Sequence, residues 1–249
     1  MDKQAYLILQ NGMAFAGTRL GAEGEAVGEV VFTTGMTGYL EALTDPSYYG
    51  QILVQTFPLI GNYGVISEDF ESRGPKVRAY IVRECCPAPS NFRCEGTLEA
   101  YLKEQNVIGL CGVDTRALTR AIRENGVMNG IITDSRTLTP AQQAWLDSYE
   151  VRDAVQAVTT PEVRRYEAEG GQKHHVALWD FGTKESLIRA LRQRGCRVTV
   201  WPAGSTAAEI LADGPEGVVL SEGPGDPAEN PALIEQIAQL CQAKRPVLG

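Results

Sequence analysis

The residues best suited to chemistry lie in "LSEGPGDP", Leu220 to Pro227, where the apolar run Gly217-Val218-Val219-Leu220 ends in two glycines flanking a proline. Glycine tolerates positive φ and leaves its amide open to close approach, and proline stiffens the turn between them. A corner this bare of side chains suits an oxygen carrying negative charge. It equally suits a plain tight turn, since lone glycine-rich turns are common. Neither of the common glycine-rich phosphate-loop patterns stands at a strand-to-helix junction. Asp180-Phe181-Gly182 resembles a kinase metal-binding tripeptide but has no companion kinase motif. Asp180 is therefore expected to hydrogen-bond the turn that opens its helix.

Six cysteines and two histidines, His174 and His175, complete the reactive inventory. Cys85, Cys86 and Cys94 raise the question of a zinc site, but no second Cys-x-x-Cys pair or histidine cluster completes it. With Cys111, Cys196 and Cys241 they read as scattered, mostly buried thiols of a reducing compartment.

Two kinds of element must position these residues. The first half is β-rich with inserted helices: Tyr6–Gln10, Glu29–Thr34, Gln51–Phe57 and Val77–Val82 are strand-like. In "GVDTRALTRAIRENGVMNGII", Asp114 or Thr115 caps a helix with Leu118, Ala121 and Ile122 inward, and Gly126 stops it. A strand, "VMNGIITD", follows, and Thr139–Val158 is expected to be helical. "TTPEVRRYEAEGGQK", Thr159 to Lys173, has dense charge and no periodicity and reads as a linker. Beyond it, strands and helices alternate. "HVALWD", "CRVTVW", "EGVVLS" and "PVLG" are strands. "KESLIRALRQRG", "STAAEILADG" (Ser205 as cap) and "NPALIEQIAQLCQAKR" (Asn230 as cap, Pro231 in the first turn) are helices. Such alternation implies an open, doubly wound parallel sheet, whose ligands bind outside the carboxyl ends of the strands.

The totals agree. The 249 residues accommodate two domains, and 43% hydrophobic with 22% charged content fits a soluble globular chain. A net charge of −8 argues against nucleic acid, and neither a membrane span nor a secretion signal appears.

Three segments together resemble one family, the small, glutamine-hydrolysing subunit of carbamoyl phosphate synthetase. They are Thr33–Gly64, Val113–Gly130, and Val176 through "LSEGPGDPAENP". The first two are the more diagnostic, because "GPGDP" turns recur in other class I glutamine amidotransferases. The resemblance implies an N-terminal β/β/α domain over 1–158, a linker over 159–173, and part of a flavodoxin-like class I amidotransferase domain over 174–249. It implies that glutamine is held by Ser47 of "DPSY" and by Gly223 and Gly225. A cysteine thiolate attacks the side-chain amide, a histidine–glutamate pair supports it, and ammonia passes through a tunnel to a large subunit. That partner uses ATP and magnesium to make carbamoyl phosphate for arginine and pyrimidine synthesis in the cytoplasm, and this subunit needs no cofactor or metal. Glu222 departs from the family, which commonly has asparagine there, so the turn's role rests on its backbone.

In the family, the last strand here leads into the turn bearing the nucleophile. None of the six cysteines takes that place, so no catalytic residue is assigned. Cys241 is expected to pack in its helix, and His174 and His175 to lie near the surface at the wrong edge of the sheet. The chain by itself is expected to be inactive on glutamine and poorly soluble, with a truncated sheet exposing an edge. Two alternatives stand beside this reading. One is a non-catalytic module that docks the large subunit. The other, which the first two segments oppose, is a different α/β amidotransferase or a flavodoxin-like binding domain.

Overall fold

A computed structural model describes residues 3–249. The chain divides into two compact units, Met1–Val151 and Arg152–Gly249.

In the first unit the strands are β1 (Gln4–Leu9), β2 (Ala14–Gly21), β3 (Ala26–Thr33), β4 (Gln51–Gln55), β5 (Leu59–Ile60), β6 (Ala79–Ile81), β7 (Glu84–Cys85), β8 (Ile108–Cys111) and β9 (Met128–Thr133). Its helices are α1 (Tyr39–Thr44), α2 (Leu98–Glu104), α3 (Thr115–Asn125) and α4 (Pro140–Ser148). Seven strands close into a barrel in the order β1-β2-β8-β6-β4-β3-β9, and β5 pairs with β7 apart from it. Closure comes from β1, which pairs antiparallel with both β2 and β9, setting Leu7 against Phe15 on one side and Ile132 on the other. This closed sheet stands where the resemblance implies β/β/α layers. Alternation along β4 shows how it is filled. Ile52 and Val54 join one core with Leu7, Ile81 and Ile132, while Leu53 joins another with Leu40, Tyr80 and Leu102. Successive side chains of a strand point to opposite faces, so both faces of this wall are covered. Helix α3 adds Leu118 and Ile122 to the first core, is capped by Asp114 rather than Thr115, and ends at Gly126.

The second unit contains α5 (Ala154–Val158), β10 (Arg164–Tyr166), β11 (His174–Asp180), α6 (Glu185–Gln193), β12 (Cys196–Pro202), α7 (Ala207–Ala212), β13 (Gly217–Leu220), α8 (Pro231–Gln242) and β14 (Val247–Leu248). Its sheet runs β10-β12-β11-β13-β14, with β12, β11, β13 and β14 parallel and β10 antiparallel at the edge. Along β11, Ala177 and Trp179 pack with Ile210 of α7 and Leu240 of α8, whereas Leu178 packs with Ile188 of α6. Helices thus cover both faces, as the alternating pattern requires.

Several expectations are corrected. The helix foreseen over Thr139–Val158 is two, α4 and α5, separated by residues 149–153, where Asp153 adopts a left-handed φ of 51°. The stretch read as a linker contains β10, ordered by pairing with β12 rather than by a hydrophobic pattern of its own. Thr206, not Ser205, caps α7, because Thr206 forms a reciprocal capping box with Glu209. Cys241 is exposed rather than packed, since the inward stripe of α8 runs through Leu233, Ile237 and Leu240. His174 is exposed, but His175 is buried, with Nε2 at 2.9 Å from Thr199 Oγ1.

Candidate functional site

In the second unit, β12 and β13 flank β11 on opposite sides, so the topological switch point lies between the carboxyl ends of β11 and β13. The loops that meet there are Phe181–Gly182 and Ser221–Gly225. They are fastened together: the Phe181 amide donates to Ser221 Oγ at 2.9 Å, and Ser221 Oγ donates to the Glu222 carbonyl at 2.7 Å. Asp180, almost fully buried, accepts from the amides of Gly182 (2.9 Å) and Thr183 (2.7 Å) through one oxygen. That is the turn-opening role read from sequence. Its other oxygen accepts from the Thr160 amide at 2.7 Å. Thr159 Oγ1 donates to the Asp180 carbonyl at 2.6 Å and accepts from the Ala203 amide at 2.9 Å, which ties in the loop after β12. Sequence reading passed over Thr159 and Thr160 because they fell in apparent linker.

Both glycines of the turn are required, for different reasons. A Cβ on Gly223 would stand 2.3 Å from the Phe181 carbonyl oxygen, closer than any real contact. Gly225 has φ 79°, in the left-handed region that disfavours side chains, and a Cβ there would meet Ala154 at 3.3 Å. Pro224 between them is buried. Among the described residues neither glycine amide donates a hydrogen bond. Two exposed, unsatisfied donors on a rigid corner are suited to receive a ligand oxygen. Beside them lies a cavity of about 140 Å³ bounded mostly by apolar residues, among them Val155, Phe181, Leu233 and Ile234, with Ser221 and Asn230 as the polar members of the lining. The charge that Glu222 brings to the turn is met by Lys184 Nζ at 3.5 Å.

Ser47 belongs to the first unit. It sits in a single 3-10 turn, Pro46–Tyr48, whose N-terminus is capped by Asp45 accepting from the Ser47 amide at 2.9 Å. Upstream, α1 is pinned at its start by Tyr63, whose hydroxyl accepts from the amides of Gly38 and Tyr39, both at 3.1 Å. At its end Thr44 Oγ1 accepts from the Glu71 amide at 2.9 Å. The Ser47 backbone is therefore held from both directions, while its half-buried hydroxyl bonds no described residue.

Of the cysteines in the second unit, Cys196 opens β12 and Cys241 lies near the end of α8. In a parallel sheet both positions fall at the amino edge, away from the switch point. His174 and His175, at the start of β11, share that edge. In the first unit, burial pushes the Cys85 thiol up to about 12, which leaves it protonated and unreactive. Among the described residues, no group of three or more His, Cys, Asp or Glu is placed to hold a metal ion.

Residues 7–132 match the family model for the carbamoyl-phosphate synthase small chain, CPSase domain, and residues 177–249 match that for class-I glutamine amidotransferase. The chain belongs to the carbamoyl-phosphate synthase small-chain family. Carbamoyl phosphate synthase small chains of Clostridium perfringens, Listeria innocua and Bacillus caldolyticus are 51%, 45% and 47% identical to it. The alignments cover 99%, 98% and 98% of this chain, and 69%, 66% and 66% of those proteins. It therefore spans about two thirds of the length of these small chains. The two matched regions fall one in each unit, so the barrel is the small-chain domain and the open sheet carries the amidotransferase domain.

Proposed function

We propose that this chain forms part of the glutaminase subunit of carbamoyl phosphate synthetase, with Ser47, Gly223 and Gly225 binding glutamine. The observation that carries the assignment is the pair of unoccupied amides at Gly223 and Gly225, set at the switch point of an amidotransferase sheet. Hydrolysis of the side-chain amide passes through an oxyanion, and removing one well-placed donor costs roughly 3–4 kcal/mol in related chemistry. Main-chain donors held by the Phe181 contact need no reorganisation to serve this purpose. The Ser47 hydroxyl both gives and takes a hydrogen bond, which suits the charged end of an amino acid. We assign the attacking thiolate to none of the six cysteines here.

On this reading ammonia leaves for the large subunit, which makes carbamoyl phosphate with ATP and magnesium for arginine and pyrimidine synthesis in the cytoplasm. This chain's own residues hold no cofactor. Taken as two opposed walls with α1 and α2 outside, the barrel fits the β/β/α domain of the resemblance. The parallel order β12-β11-β13-β14 fits the flavodoxin-like sheet.

The test uses the complete enzyme with two nitrogen sources. Ser47→Ala is expected to raise KM for glutamine by roughly 5- to 100-fold, the range for an unpaired polar partner, and to leave synthesis from ammonium chloride unchanged. Wild-type glutamine use in both Ser47→Ala and Gly225→Ala would discard the assignment.

A further inference from the structure

A cavity of about 710 Å³ in the first unit, whose lining does not include Ser47, is strongly cationic. Arg116, Arg120 and Arg123 of α3 face it together with Arg83 from the segment after β6. Positions 116, 120 and 123 recur at i, i+4 and i+7, so the three guanidinium groups form one stripe about 10 Å long. The opposite face of the helix is fixed by buried Leu118, Ala121 and Ile122, which leaves the stripe no freedom to turn inward.

Its charges are hardly compensated. Arg120 approaches Glu124 at 3.6 Å, both of them well exposed. Arg83, Arg116 and Arg123 use their side chains in no ion pair or hydrogen bond with a described residue. Glu124 is the one acidic residue in the lining. This concentration of positive charge occurs in a chain of net charge −8. Hydroxyls add donors: Thr34 and Thr119 line the same cleft, and Thr119 Oγ1 is shielded from water without a partner. The amino end of α3 contributes little, since Asp114 already accepts from the Ala117 amide there.

We propose that this cleft binds a small oxyanion carrying two or more negative charges, of the phosphate or carboxylate class. Guanidinium forks match the geometry of both groups bidentately, and a cavity of this size accommodates a molecule of metabolite dimensions. A single carboxylate, as on an amino acid, would leave most of the stripe unpaired. The site stands independently of the glutamine assignment.

Calorimetric titration of the full-length protein with inorganic pyrophosphate and, separately, with citrate tests this and tells the two sources apart. Saturable binding of one or both is expected, weakening as NaCl rises from about 50 to about 300 mM. The double variant Arg116→Ala/Arg123→Ala is expected to reduce affinity by roughly tenfold or more, while Arg136→Ala, an exposed arginine outside the lining, changes nothing. If the alanine variant melts early, Arg116→Gln/Arg123→Gln takes its place. Absence of saturable binding by both anions, or binding indifferent to the double substitution, would overturn the proposal. So would capture of polyglutamate in place of either small anion, which would make the cleft a protein-docking face.

Discussion

At Gly223 the conflict is between one methyl group and one carbonyl: a Cβ would sit 2.3 Å from Phe181 O, and that oxygen belongs to a loop with nowhere to go. Gly223→Ala is expected to destabilise the second unit by about 1–3 kcal/mol, as overpacking does. Gly225→Ala is expected to lose about 1–2 kcal/mol through backbone strain at φ 79°. Urea unfolding curves would measure both. A second residue-scale prediction concerns pH. Lys3 Nζ at 2.6 Å, followed by Arg19 at 2.7 Å, holds the Asp134 carboxyl below the usual carboxylate range. A depressed folded-state pKa contributes stability that is present above the unfolded value near 3.9 and lost as pH falls through the folded value. Asp134 is largely exposed, so solvent screening limits the effect to about 0.2–1 kcal/mol. Asp134→Asn is thus expected to melt slightly earlier than wild type at pH 7, with the gap closing in acid. An equal gap at both pH values would refute the linkage.

Among elements, Thr159 ties the carboxyl end of β11 to the loop after β12 through two hydrogen bonds of one hydroxyl, one donated to the Asp180 carbonyl and one accepted from the Ala203 amide. Thr159→Val keeps the shape and removes both, stranding the amide of buried Ala203. The expected loss is about 1–3 kcal/mol, and hydrogen exchange at Ala203 should accelerate. Protection unchanged at that amide would show that the tie is dispensable. The segment around Thr159 also marks where sequence was hardest to interpret. Helix α3 was legible because Leu118, Ala121 and Ile122 repeat at helical spacing between Asp114 and Gly126. β10 was not, because an edge strand of three residues needs only a partner's free ladder and carries no periodicity. β2 and β8 escaped notice for local reasons: "AFAGTRLG" is interrupted by glycine, and "IGLC" is short and interrupted as well. Without them the first half reads as a set of strands and not as a closed ring.

For the whole chain, 31 acidic against 23 basic residues give a net charge of −8 and an isoelectric point near 5.0. Self-repulsion opposes association of such a polypeptide at neutral pH, acting against any exposed sheet edge, and fails near its isoelectric point. Light scattering against pH is expected to peak close to pH 5, and a flat profile between pH 4 and about 7 would contradict this. The same totals explain why the cationic cleft went unread. Arg116, Arg120 and Arg123 stand at a spacing visible in the sequence, but a cation on a helix face ordinarily meets water. Only the fold brings Arg83 beside them and keeps acidic side chains other than Glu124 out of the lining.

By itself, the order of residues determined the alternating strands and helices after residue 173 and the family. These depend on local periodicity, capping and motifs that act within a few residues of one another. The tertiary structure alone decided that the first sheet closes, that Gly223 must lack a side chain because of Phe181, and that His175 is buried while Cys241 is not. Each of those outcomes depends on contacts between residues far apart in the chain, whose approach is set by packing and strand register and leaves no mark on the neighbouring sequence.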